Sequence, residues 1–313
     1  MGELRAALLR CRTGWIARAA GCVILFILLD AASLWLLLDS FGMGVGHRTC
    51  FLTACVGFFF SAITPSASGG QPMQVYYLRS KGIPVSVSSV AFLVMAMCYK
   101  LILVLIGLGL ALFSRGFLRV HLGSMMFLFW VGLLLTGGWM VFLGLMVFRP
   151  GLARGMLIWG MSVLEELRIM KNRELRQAAL EVSMEMYEDA AEHLKKHPAL
   201  LLEVLGVMLL RRGVMFSVTW CVYRALGLSG VSWIEIALLQ AVISVCADML
   251  PLPGAMGISE GLFLKAYAPV FGALALPGMV LSRGIGHYSQ LLFCGVISVL
   301  ALAFLNRNRP TRD

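Results

Sequence analysis

Five apolar runs, at 19–38, 86–113, 122–148, 198–226 and 278–305, are each long enough to cross a bilayer. A spanning helix needs about 20 mostly apolar residues to clear a hydrocarbon core of roughly 30 Å. Three shorter runs, 50–64, 233–250 and 256–271, bring the expectation to seven or eight membrane segments. Hydrophobic residues make up 60% of the 313 and charged residues 13%, against about 45–50% and about 25% in soluble domains. The expected fold class is all-α, a polytopic integral membrane protein forming one domain over 1–313.

The shorter runs abut two breaks rich in glycine, proline and polar residues. The first reads Thr64-Pro65-Ser66-Ala67-Ser68-Gly69-Gly70-Gln71-Pro72, and the second Leu250-Pro251-Leu252-Pro253-Gly254-Ala255-Met256-Gly257-Ile258-Ser259-Glu260-Gly261. Unpaired backbone groups cost several kcal/mol each in lipid, so non-helical backbone persists there only inside protein or beside a watery cavity. A pair of interrupted segments, one per half, points to a binding site near the midplane formed by discontinuous or re-entrant helices.

The formal charge of +10 sits where a membrane protein would carry it. Arg5, Arg10, Arg12 and Arg18 precede the first run, and Arg307, Arg309 and Arg312 follow the last. Positive residues concentrate in cytoplasmic flanks, which predicts that both termini and the charged linker share the cytoplasmic side. Attraction to anionic headgroups accounts for the excess charge, and nucleic acid is not an expected partner. The N-terminal apolar run continues through Trp35-Leu36-Leu37-Leu38, too long for a signal-peptide core, and is expected to be an uncleaved span. The eight cysteines have no CxxC or metal-type spacing and read as small apolar residues.

The linker at 151–197 separates halves 1–150 and 198–313. Leu164, Leu167, Leu175, Ala178, Val182, Met186 and Leu194 recur at near-helical spacing among charged residues, predicting an amphipathic cytoplasmic helix or helix pair ended near Pro198. Pro65 and Pro251 hold comparable places in their halves, which suggests an internal repeat, inverted or otherwise.

Charged residues inside a span are costly and usually face a cavity or a partner. Lys100, Asp248, Glu260 and Arg283 fall inside or beside apolar runs and are expected at a functional cavity. Glu203, Arg211 and Arg212 suit a structural charge network and substrate contact equally; Asp30 has no evident partner in sequence. Helix N-termini after Gly69-Gly70 and after Gly254 or Gly257 could offer free N–H groups to an anion. The candidate binding set is therefore Thr64, Ser66, Ser68, Gly69, Gly70, Gln71, Lys100, Asp248, Gly254, Gly257, Ser259, Glu260 and Arg283. Gly257-Ile258-Ser259-Glu260-Gly261 matches the letters of a GxSxG nucleophile elbow but lacks its strand-to-helix setting. No metal-site, Walker A or dinucleotide pattern occurs, so neither a cofactor nor a catalytic set is expected.

Phe58-Phe59-Phe60-Ser61-Ala62-Ile63 leading into the first break, Tyr76-Tyr77-Leu78 and Gly82-Ile83 after it, the second break, Tyr99-Lys100 and Arg283 together carry a resemblance. Over nearly its whole length the chain resembles the lysylphosphatidylglycerol synthase transmembrane-region family, the flippase-like membrane domain of the bacterial multiple peptide resistance factor. In full-length members a cytoplasmic domain transfers lysine from lysyl-tRNA to phosphatidylglycerol, and the membrane part translocates the product, giving resistance to cationic antimicrobial peptides. This chain ends at Asp313, shortly after its last span. The resemblance therefore implies a lipid translocase of the bacterial inner membrane, with phospholipid as its partner and no transferase chemistry of its own. A membrane component acting with a separate aminoacyl-lipid synthase and a small-solute or ion carrier are the alternatives.

Overall fold

The computed structural model describes residues 11–123, 126–166, 173–248 and 257–307, which are helical almost throughout. Helix α1 (Thr13–Ser40) is followed by α2 (His47–Ile63), a 3-10 turn at Pro65–Ala67, α3 (Gly70–Ser80) and α4 (Val85–Phe113). The short α5 (Arg115–Leu122), then α6 (Met126–Phe148), α7 (Pro150–Glu166) and α8 (Arg173–Lys196) complete the first half and the linker. The second half comprises α9 (Pro198–Ala225), α10 (Trp233–Ala247), α11 (Ile258–Ala266) and α12 (Ala268–Phe271). It ends with α13 (Ala275–Arg283), a π-turn at Gly284–Tyr288, and α14 (Ser289–Arg307).

Four continuous paths have the length and hydropathy of membrane spans: Thr13–Ser40, Val85–Phe113, Met126–Phe148 and Ala268–Phe304. Helix α9, of 28 residues and not among these four, lies antiparallel to α1. At one end the Arg12 N–H donates to the Ala225 carbonyl at 3.0 Å, and Trp15 meets Trp220 edge-on at 5.2 Å. At the other end Phe41, just past α1, faces His193 of the linker helix at 5.9 Å. The bundle therefore has a linker end and a far end.

The first break is the tip of a hairpin that enters from the linker end. His47 opens α2 beside Trp35, ring centroids 4.5 Å apart, and α3 returns along α2, with Gln74 Nε2 donating to the Thr53 carbonyl at 3.3 Å. The two arms touch at glycines. A Cβ on Gly57 would come within 2.2 Å of the Gln74 amide, and one on Gly70 within 1.9 Å of Ser61 Oγ. With 17 residues, α2 is shorter than the roughly 20 a span requires.

The second break also turns a hairpin, entered from the far end. Helix α10 follows the far end of α9, and α11–α12 fold back along it: the Tyr267 hydroxyl donates to the Ile236 carbonyl at 2.7 Å, and Phe271 meets Tyr223 at 5.4 Å. The chain then crosses toward the linker end through α13 and α14, where Ala301 packs with Val56 and Tyr77. The path through α1, the first hairpin and α4 thus runs opposite in sense to the path through α9, the second hairpin and α13–α14, and the first half adds a further helix of spanning length, α6. The repeat suggested by the sequence is an inverted one.

Helix α1 begins at the far end, whereas the linker helix and the described end of α14 lie at the other. Of the predicted amphipathic stripe, Leu194 is buried and Val182 and Met186 are not, while the side chains of Leu164, Leu167, Leu175 and Ala178 lie outside the described ones. Met184, Tyr187, Ala190, Ala191 and Leu194 are buried, whereas Val182 and Met186 are 58% and 40% exposed. Tyr187 sets this register, its hydroxyl donating to the Met146 carbonyl at 2.9 Å, and the small alanines let α8 lie close against the bundle.

Candidate functional site

Among the described residues, three ion pairs lie within the bundle. The first joins α1 to α9: Arg211 Nη2 approaches Asp30 Oδ1 at 3.1 Å, with side chains only 13% and 9% exposed. The Arg211 guanidinium also lies over Phe26 at 4.4 Å and 5.7 Å from the Phe58 ring. Sealed between aromatic rings, it is a fastener between the two halves. Sequence left Asp30 without a partner because the partner stands 181 positions away on another helix.

The other two pairs bracket the second break. On its near side Asp248, at the end of α10, pairs with Lys100 at the middle of α4, and accepts from the Tyr99 hydroxyl at 2.6 Å. On its far side Glu260 pairs with Arg283: Oε1 accepts from Nη2 at 2.8 Å and from Nε at 2.9 Å. The Gly257 N–H donates to Glu260 Oε2 at 2.6 Å. Glycine suits that position because its φ is +85°, a conformation that penalises a Cβ. Ser259 donates to Glu260 Oε2 at 3.1 Å and accepts from Arg283. Arg283 and Glu260 are about a fifth exposed, 23% and 22%, so this pair is more open than the Asp30–Arg211 fastener.

The structure thus brings together Gly257, Ser259, Glu260 and Arg283 in one cluster and Lys100 with Asp248 in another. Gly254 lies outside the described residues. The first break is built differently. Thr64 Oγ1 donates to the Phe60 carbonyl at 2.6 Å and accepts from the Gly69 N–H at 2.9 Å. Ser68 Oγ donates to the Pro65 carbonyl at 2.8 Å. These polar groups satisfy the backbone of the turn and leave Gly69 less free to meet an anion. Ser66 lies in the 3-10 turn, and its side chain is outside the described residues. Gln71 is exposed and lines a cleft of about 560 Å³ between α3 and α4 with Tyr76, Arg79 and Ser89; none of the four intramembrane charged candidates lines it.

Tyr99 and Arg212 escaped the predicted set. The Arg212 guanidinium stacks on the Tyr99 ring at 4.2 Å, which places it beside the Asp248 pair. The available signal was the Arg211-Arg212 doublet: adjacent helical residues point about 100° apart, so two neighbouring arginines cannot share one partner. Among the described residues no three His, Cys, Asp or Glu side chains gather as a metal site. Ser259 lies in the first turn of α11, after a turn at Gly257; the residues before that turn lie outside the described ones.

A family model described as the lysylphosphatidylglycerol synthase TM region matches residues 1–294. No curated protein matches the chain.

Proposed function

The chain belongs to the lysylphosphatidylglycerol synthase transmembrane-region family, and from that premise we propose that it is a lipid translocase of the bacterial inner membrane. Its substrate would be a phospholipid with a phosphodiester and an amine, such as an aminoacylated phosphatidylglycerol. The observation that carries this reading is the pair of ion pairs flanking the second break, Lys100–Asp248 before it and Glu260–Arg283 after it.

An isolated charge at a span centre costs about 2.5–3.5 kcal/mol on insertion scales, so a headgroup can enter only by exchanging partners. An ammonium offered to Asp248 or Glu260 and a phosphodiester offered to Lys100 or Arg283 replace each internal pair with an external one. No charge is then left uncompensated in the low-dielectric interior. The inverted hairpins supply the other requirement, because rocking one half against the other exposes a fixed site to alternate sides. The α1–α9 contact, fastened by Asp30–Arg211, is the natural pivot.

The test is transfer of a fluorescent phospholipid across reconstituted liposomes. Glu260→Gln and Arg283→Gln should each slow it by about tenfold, the equivalent of ~1.4 kcal/mol of barrier. Wild-type transfer by folded variants removes the assignment. Transport of soluble ions or amines without lipid transfer would favour a solute carrier instead.

A further inference from the structure

Along the outer side of α9 and α10 runs an apolar groove of about 560 Å³, walled by Leu210, Gly213 and Ser217 on one side and Trp233 and Ala237 on the other, with Ile106 of α4 behind. It opens outward: Leu210 and Ile234 at its mouth are 56% and 62% exposed. The indole N–H of Trp233 donates to Ser217 Oγ at 2.8 Å, which turns a polar edge inward and leaves the ring as an apolar wall.

One lining residue is charged. Arg212 lies near the midpoint of the 28-residue α9, stacked on Tyr99 at 4.2 Å and 5.6 Å from the ring of Phe216. Among the described residues Arg212 has no carboxylate and no hydrogen-bond partner, whereas Lys100, Arg211 and Arg283 each hold an acid. Such a cation within a span needs an anion, and here the anion has to arrive along an apolar path open to the bilayer. That condition suits an acyl-chain-bearing anion and disfavours a water-borne one. Tyr99 links the groove to the headgroup site, since its hydroxyl donates to Asp248 at 2.6 Å.

Resting on the translocase reading, we propose that this groove is the lateral seat of a membrane phospholipid. An acyl chain lies against Gly213 and Trp233, and the phosphodiester pairs with the Arg212 guanidinium, whose planar fork matches two phosphate oxygens. The chain stays in the membrane while the headgroup advances past Tyr99 toward Lys100 and Asp248.

Native mass spectrometry of the full chain in detergent tests the seat with three probes: phosphatidylglycerol, a diacylglycerol of the same chains, and oleate. Arg212→Gln should lower phosphatidylglycerol retention by about tenfold, to the level of diacylglycerol, and Arg212→Lys should restore part of it. Gly213→Leu should lower retention of both lipids; a Cβ there meets only the Trp233 ring, at 3.9 Å, so the change fills the groove without crowding the backbone. Wild-type retention by folded Arg212→Gln or Gly213→Leu overturns the proposal, as does oleate retained in preference to phosphatidylglycerol. Should both variants fail to fold, phosphatidylglycerol with brominated chains should quench wild-type tryptophan emission saturably, and Trp233→Phe should remove a distinct part of that quench; an unchanged quench also overturns it. Failure of the two readings is separable. Arg212-dependent retention without transfer keeps the seat and removes the translocase; transfer that needs Glu260 but ignores Arg212→Gln does the reverse.

Discussion

Residues of like charge do different work here according to how far they are shut in. Asp30–Arg211 is nearly sealed, and deleting one partner leaves the other as an uncompensated buried charge, a loss of about 3–5 kcal/mol. Asp30→Asn should therefore lower the thermal unfolding temperature of the purified protein markedly, and the Asp30→Leu, Arg211→Met double variant should recover much of it. An Asp30→Asn protein that melts like wild type would show that the pair is not a fastener. Glu260–Arg283, with each side chain about a fifth exposed, should show the opposite balance: Glu260→Gln melts near wild type yet loses lipid transfer. The candidate charges were legible one by one, because an ionisable residue in an apolar run stands out. Their pairing was not, since every partner sits on another helix.

At the scale of elements, the first hairpin depends on arms that nearly touch. A Cβ on Gly70 would lie 1.9 Å from Ser61 Oγ and 2.8 Å from the Gly57 carbonyl. Gly70→Ala should thus part α2 from α3 at a cost of about 1–3 kcal/mol, the usual range for overpacking, read as a fall in unfolding temperature; an unchanged transition would contradict the close approach. The linker helix carries a pH dependence. Burial, then the charges of His197 and Lys196, holds His193 below the ordinary histidine range. The undocked helix then binds the proton more readily than the docked one, so stability rises with pH. Docking of α8 is complete above about pH 6.5 and weakens as pH falls below it. Amide exchange across 181–196, corrected for intrinsic rate, should be faster at low pH in wild type, and His193→Gln should abolish the difference.

For the whole molecule, opposite hairpins make a sidedness prediction. In a chain stripped of its native cysteines, Arg48→Cys, Lys81→Cys and Lys196→Cys lie at the linker end, and Ser229→Cys lies at the far end. A membrane-impermeant thiol reagent on intact cells should label the first three alike and Ser229→Cys oppositely. If Arg48→Cys and Lys81→Cys label from opposite sides, residues 47–80 cross the membrane and the inverted repeat fails. The charge rule could not settle this beforehand, because both ends are basic: Arg12, Arg18, Arg115 and Arg224 lie at the far end, while Arg48, Arg79, Lys81 and Arg149 lie at the linker end. The linker end carries the larger share, with Arg154, Lys195 and Lys196 besides, so the bias favours that end as cytoplasmic; it does not tell whether 47–80 crosses or turns back.

Apolar run length alone determined that this chain is a helical membrane protein, because a bilayer leaves the backbone no other partner than itself. The glycines and prolines of the breaks likewise marked where helices must stop, since a missing N–H or a positive φ is a local property of the residue. Tertiary structure decided what is non-local. It showed that the helices on either side of each break pack back along one another and that the two halves run in opposite senses. It gave Asp30 its arginine and left Arg212 facing a groove. Those outcomes depend on which helix lies beside which, and a one-dimensional hydropathy pattern carries no term for a neighbour 181 positions away.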